Sequence, residues 1–315
     1  MKIMNLEEIQ SILGTLDVLP AIEAGFAAYS KGDAVIPPVA EMLFEQPPGD
    51  VHIKYGYLRD DDFYVIKIAS GFYDNPQLGL SSSNGLMLLF SQKTGQLQCV
   101  LLDEGHLTDI RTAAAGAVAA KYLAPSDVKC IGILGAGIQG RLQLQYLKSV
   151  TPCQKVMVWG MNQSELDRYQ NDMTALGYTV ETTLHAAEVA AACNLIVTVT
   201  PSQSPLLKAD DIRPGTHITA VGSDTPEKQE LDAAILGLAD VAVGDSLVQC
   251  RQRGEIFKAL GANVIAPEKP VELGSIIAGH RAGRVSETQI TVADLTGVAV
   301  QDIQISKQVY LGSLS

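Results

Sequence analysis

Three charged residues stand where their types and settings could do chemistry. Lys67 is a lone charge in the apolar run Phe63-Tyr-Val-Ile-Lys-Ile-Ala69, where an ammonium without a partner would be costly. Either it meets an anion or it points outward from an edge strand. Arg111 lies one turn into a run of small residues, close to a predicted helix N-terminus. It could clamp a carboxylate with two parallel hydrogen bonds, or pair with Asp103 or Asp109. Asp224 follows the apolar run Ile218–Val221 through Gly222-Ser223, at the carboxyl end of a predicted strand, the edge where doubly wound sheets bind ligands. Within Ser-Asp-Thr-Pro it could equally cap a turn or a helix.

A fourth feature is backbone chemistry. Cys130-Ile-Gly-Ile-Leu-Gly-Ala-Gly-Ile-Gln-Gly140 carries G-x-G-x-x-G at Gly135, Gly137 and Gly140. The motif alone is weak, but the apolar run Val128–Leu134 leads into it and an amphipathic helical pattern leaves it. That context lets glycine backbone approach a pyrophosphate at a helix N-terminus and reads as a dinucleotide site. The acid expected about 20 residues later would fall near Gly160, in Trp159-Gly-Met-Asn162. Neither an acid nor an arginine is there, so NAD and NADP both stay open. Asn162 is taken as a contact, and Arg168 reads as a solvated arginine unless its helix faces the adenosine.

These residues need elements to hold them. Asn5 precedes a helical run Leu6–Leu13, and a second runs through Val18–Tyr29 to Lys31-Gly32-Asp33. Short β-rich runs follow, Val51–Tyr57, Phe63–Ala69, Gly85–Phe90 and Leu97–Leu102, predicting an antiparallel or mixed sheet. Thr108 is placed as the cap of a helix over Ile110–Leu123. Beyond it, strand and helix patterns alternate: Val128–Leu134, Ile138–Ser149, Lys155–Trp159, Gln163–Ala175, Thr179–Glu181, Ala186–Ala192, Leu195–Thr200, Ile218–Val221 and Val241–Val243. The fold class is therefore α/β, a Rossmann doubly wound parallel sheet beside a smaller α+β domain.

At 315 residues, with 47% apolar and 18% charged residues, two domains with packed cores are expected. A net charge of −12 without basic runs argues against nucleic acid or an anionic membrane surface. No signal core or uncharged apolar span is visible, so a cytoplasmic protein is expected. Five cysteines without a CxxC pair suggest neither a disulfide framework nor a metal site.

Three further stretches, Leu107-Thr-Asp-Ile-Arg-Thr-Ala-Ala114, Ala220-Val-Gly-Ser-Asp-Thr-Pro-Glu-Lys-Gln-Glu-Leu231 and Asp294-Leu-Thr-Gly-Val-Ala-Val-Gln-Asp302, together with Gly135-Ala-Gly-Ile-Gln139, resemble the ornithine cyclodeaminase and mu-crystallin family in order along the chain. The resemblance implies a homodimer. Residues 1–114 and 295–315 would form a substrate and dimerisation domain, with residues 115–294 as the NAD(P)-binding domain between them. It implies Lys67 and Asp224 as catalytic residues, with Arg111 on the substrate carboxylate and near the cofactor. Ser82, Ile138, Gln139, Thr200, Val221, Gly222, Lys228, Thr296 and Gly297 would be cofactor or cleft contacts, Thr296 on the substrate side.

Members of that family pass through an imine at an α-carbon. Two departures bear on which imine. Cyclodeaminases carry a further arginine in a Pro-x-Arg context, absent from Val35-Ile-Pro-Pro-Val-Ala40, and a glutamate near Val51–Tyr55, where this chain offers His52 and Lys54. A cationic pocket disfavours a second amine and favours a second carboxylate. The expectation is an NAD(P)H-dependent imine reductase or amino-acid dehydrogenase for a small imino acid, iminosuccinate to aspartate being the specific case. The alternatives are an ornithine cyclodeaminase and a carrier of NADP and a small ligand.

Overall fold

The structure is a computed structural model describing residues 1–72 and 74–314; Ser315, the end of the expected C-terminal segment, lies outside the described residues. The chain divides into two compact units, Met1–Arg111 with Val298–Ser315 and Thr112–Gly297. These boundaries fall at 111/112 and 297/298, against 114/115 and 294/295 expected from the sequence.

The first unit opens with β1 (Lys2–Met4), α1 (Leu6–Leu13) and α2 (Leu19–Lys31). Asn5 caps α1 in a reciprocal box with Glu8, and Gly32, at φ 87°, ends α2 in the left-handed conformation that glycine adopts cheaply. There follow β2 (Ala34–Val35), β3 (Ala40–Phe44), β4 (Gly49–Leu58), β5 (Phe63–Phe72), β6 (Ser83–Ser91) and β7 (Leu97–Leu101). The sheet order is β1-β7-β6-β5-β4-β2, with β3 on β4. Every pairing is antiparallel except β1 with β7, so the sheet is mixed.

Strand alternation sorts its two faces. Val65, Lys67, Met87, Leu89, Cys99 and Leu101 are buried on one, which the C-terminal helix covers, as the contact of Ser306 with Met87 shows. Tyr57, Tyr64, Ile66, Ile68, Leu88 and Phe90, on the other face, are half-buried, with Tyr64 and Phe90 stacked at 4.8 Å.

Helix α3 (His106–Leu123) starts two residues before Thr108. Its opening is fixed by the Asp103 carboxylate, which accepts from Leu107 N at 2.8 Å, so Thr108 is an interior residue and not the cap.

The second unit builds β8 (Ile131–Leu134), α4 (Ile138–Leu147), β9 (Lys155–Trp159), α5 (Gln163–Ala175), β10 (Thr179–Thr183), α6 (Ala186–Ala192), β11 (Leu195–Thr198), β12 (His217–Ala220), α7 (Ala233–Leu238), β13 (Val241–Gly244), α8 (Leu247–Cys250), α9 (Gly254–Gly261), β14 (Val271–Glu272), α10 (Leu273–Ile277) and β15 (Thr291–Asp294); α11 (Ala299–Gly312) returns to the first unit. The eight strands are all parallel, in the order β10-β9-β8-β11-β12-β15-β13-β14. This is the α/β Rossmann arrangement. The chain runs outward from β8 to β10, then restarts at β11 on the other side of β8, creating a switch point beside the glycine loop. Continuous burial of β8, β11, β12 and β15 is what a parallel sheet covered on both faces demands. Among the described residues no helix is long and apolar enough to cross a membrane.

Candidate active site

In the first unit the covered sheet face carries a charge cluster. Lys67, 2% exposed, sits in register opposite Lys54 on β4, so both side chains leave the sheet on the same side. Above Lys67 lies Asp302 of α11, with Oδ1 3.3 Å from Lys67 Nζ and 3.0 Å from Arg111 Nε. Arg111 Nη1 donates to Gln301 Oε1 at 2.8 Å. The partner of Arg111 is thus Asp302, not the Asp103 or Asp109 considered from sequence.

The electrostatics follow from burial. Desolvation, aided by the neighbouring Arg111 and Lys54 charges and opposed by Asp302, brings the Lys67 ammonium down to about 7. Burial alone would push the Asp302 carboxyl up, but Lys67 and Arg111 outweigh it and hold it below the ordinary carboxylate value. Asp103, also buried, is raised to about 6. A lysine that changes charge near neutrality beside a permanently charged guanidinium can bind a carboxylate and exchange a proton.

His52 was expected to add to this cationic face. Its Nδ1 instead lies 3.5 Å from Glu41 and its Nε2 3.4 Å from Asp50, so carboxylates offset the cationic character expected at this end of β4. Ser82 is exposed just before β6, its carbonyl accepting from Phe72 N.

In the second unit the glycines make a cradle. Gly135 has φ 120°, and a side chain at Gly140 would come within 2.1 Å of the Gly135 carbonyl. Gly137, the cap of α4, offers no side chain to the helix's first N–H groups, and a β-carbon there would meet nothing within 4 Å. The first turn thus begins without a side-chain cap and with open space at Gly137, which suits a pyrophosphate. Ile138 is exposed in that turn, Gln139 is half-buried and accepts weakly from Gln143, and Asn162 caps α5 through Glu165 N. A cavity of about 400 Å³ opens along Gly135, Gly137, Trp159, Met161, Glu165 and Thr200. These residues fit a dinucleotide.

The turns at the carboxyl edge of this sheet are tied together by buried acids that sequence reading missed. Glu230, fully buried, accepts from Thr198 Oγ1 (2.7 Å), Thr200 N (2.6 Å), Thr200 Oγ1 (2.8 Å) and Gly222 N (2.8 Å). Burial still pushes its carboxyl up to about 7. Glu255 accepts from Ser223 Oγ at 2.5 Å and Glu230 N at 2.7 Å; Asp294 accepts from Ile256 N. Asp245 accepts from Thr296 Oγ1 at 3.0 Å and Gly297 N at 2.7 Å, while Gln249 bonds both of those residues. Gly222 cannot carry a side chain, since a β-carbon would lie 2.1 Å from the Thr200 carbonyl. Val221 N donates to Thr198 O. The edge carrying Thr200, Val221, Gly222, Thr296 and Gly297 is therefore one braced surface. Asp224 lies next along the chain, its side chain 48% exposed, with Lys228 Nζ at 2.6 Å. The acids at 230 and 294 had a visible trace, as charges without an assigned role in the quoted motifs.

The sequence matches the ornithine cyclodeaminase/mu-crystallin family over residues 1–314. It is 40% identical to an uncharacterized cyclodeaminase of Sinorhizobium fredii, over 97% of this chain and 94% of that one. An archaeal alanine dehydrogenase dimer with bound NAD superposes with a TM-score of 0.91 at 34% identity, covering 100% of this chain and 96% of the other. The iminosuccinate reductase of Paracoccus denitrificans in complex with NAD+ gives 0.89 at 30%, with the same coverage.

Proposed function

This chain belongs to the ornithine cyclodeaminase/mu-crystallin family, and from that premise we propose that it is an NAD(P)H-dependent reductase of small α-imino acids, iminosuccinate to aspartate in particular. The observation that carries the reading is the cluster of Lys67, Arg111 and Lys54 around one buried carboxylate, Asp302. Arg111 and Lys67 hold the substrate's α-carboxylate, and Lys54 favours a second carboxylate over an amine. An incoming carboxylate raises the proton affinity of Lys67, keeping it charged and able to polarise the imine nitrogen. Asp224, directly or through water, carries the proton that the nitrogen gains. Gly135, Gly137 and Gly140 hold the cofactor pyrophosphate. A bound reduced nicotinamide supplies the hydride.

We propose a homodimer, as in the archaeal alanine dehydrogenase dimer, and place its contact on the half-buried apolar sheet face bearing Tyr57, Ile66 and Leu88. Ile66→Asp should shift sedimentation to the monomer, and an unchanged sedimentation coefficient would assign the contact elsewhere.

Glu41 and Asp50 beside His52 favour one second reading, a cyclodeaminase in which these carboxylates hold a distal ammonium. A substrate panel separates the two. Oxaloacetate, pyruvate and glyoxylate, each with ammonia, are compared with ornithine while reduced nicotinamide and ammonia are followed. Fastest turnover with oxaloacetate and ammonia is expected; ammonia release from ornithine without turnover of the oxo acids would replace the proposal with the cyclodeaminase.

A further inference from the structure

Resting on the nicotinamide reading above, we infer that Glu165 is the residue that reads the adenosine ribose, and that the protein selects NAD(H) over NADP(H). The acid that usually marks NAD sites at the end of the second strand is missing, because β9 runs out into Trp159-Gly160-Met161. The structure supplies a carboxylate to the same cavity from another place. Glu165, in the first turn of α5, lines it together with Gly135, Gly137, Trp159 and Met161. Its backbone N–H is taken by the Asn162 cap, so the first turn offers one fewer donor to an anion and one more negative charge against it.

Among the described residues no lysine, arginine or histidine lines this cavity. Of the two nearest arginines in sequence, one is held against the glycine loop with a carboxylate partner and the other is not part of the lining. Arg141 bonds the Ala136 and Gly137 carbonyls and pairs with Asp172 at 2.8 Å. Arg168 is exposed and donates back to Ser164 O at 3.3 Å. A 2′-phosphate brings a charge of about −1.5 to −2. It would therefore meet the Glu165 carboxylate, and the one arginine at the glycine loop, Arg141, is already paired with Asp172, whereas a ribose diol finds an acceptor. Trp159, Met161 and Leu206 give the cavity apolar walls suited to an aromatic base.

The chain's single tryptophan, Trp159, lines the cavity, so quenching of its fluorescence reports nucleotide binding without any turnover. Titrating NADH and NADPH should show NADH binding at least about tenfold more tightly. Glu165→Gln, on an exposed helix turn, should weaken NADH about tenfold and leave NADPH unweakened. Met161→Arg, at a residue 84% exposed, should tighten NADPH selectively. Equal or tighter binding of NADPH by the natural sequence would overturn the inference while leaving the nucleotide site standing. Binding of neither nucleotide would overturn both.

Discussion

Both units bury charge, but in opposite ways. In the second, Glu230 spends both carboxylate oxygens on four donors from Thr198, Thr200 and Gly222, and Asp245 is filled by Thr296 and Gly297. In the first, both oxygens of Asp302, Arg111 Nε and Gln301 Nε2 have no well-aligned hydrogen bond, although the charges stand 3.0–3.3 Å apart. Burial alone therefore does not mark the chemistry. A buried acid that gathers donors from several turns braces the backbone, even with one oxygen to spare as at Glu255; a buried cluster in which several charged groups together keep unspent hydrogen-bonding capacity is a candidate ligand site.

The largest test of that contrast is kinetic. Arg111→Ala or Lys67→Ala should lower kcat/KM by about 10³-fold while thermal unfolding stays cooperative. A loss of folding with no specific kinetic defect would make the first cluster a brace as well. Next comes Glu230→Ala, which leaves the donors of Thr198, Thr200 and Gly222 without their acceptor and should cost about 3–5 kcal/mol in denaturant unfolding. Retention of full stability would show that the edge is not braced by this residue.

A pH profile probes the same difference. Lys67 is charged below about 7 and loses its proton above it, so kcat/KM in the reductive direction should fall about tenfold per unit as pH rises through that value. Because Arg111 depresses the Lys67 value, Arg111→Gln should move the inflection upward, and a downward or absent shift would detach the profile from Lys67. The smallest effect is expected from Thr198→Val. It removes one of the four bonds to Glu230 and should lower stability by about 1 kcal/mol with little change in turnover.

How much of this was readable from sequence depends on the range of the interaction. The glycine loop, β9, α5 and α6 were legible because each is a local pattern of period, cap and turn. The start of α3 was not, since the cap is Asp103, several residues upstream of the run of small residues. Lys67 announced itself as a charge among apolar neighbours, but its partner Asp302 lies 235 residues further on and only the packing of α11 on the sheet brings it there. Glu255 was invisible for the same reason and Glu230 showed only as a charge without a role, while His52 looked cationic because strand pairing, not sequence order, sets Glu41 opposite it.

The central claim is that the Lys67–Arg111–Asp302 cluster receives an imino acid that is then reduced. The most direct measurement is stoichiometry: oxaloacetate with ammonia, enzyme and reduced nicotinamide, counting nicotinamide oxidised against amino acid formed. One cofactor oxidised per aspartate, with the rate lost in Lys67→Ala, is the predicted result. No aspartate and no cofactor oxidation, with proline and ammonia appearing from ornithine at unchanged total reduced cofactor, would contradict it.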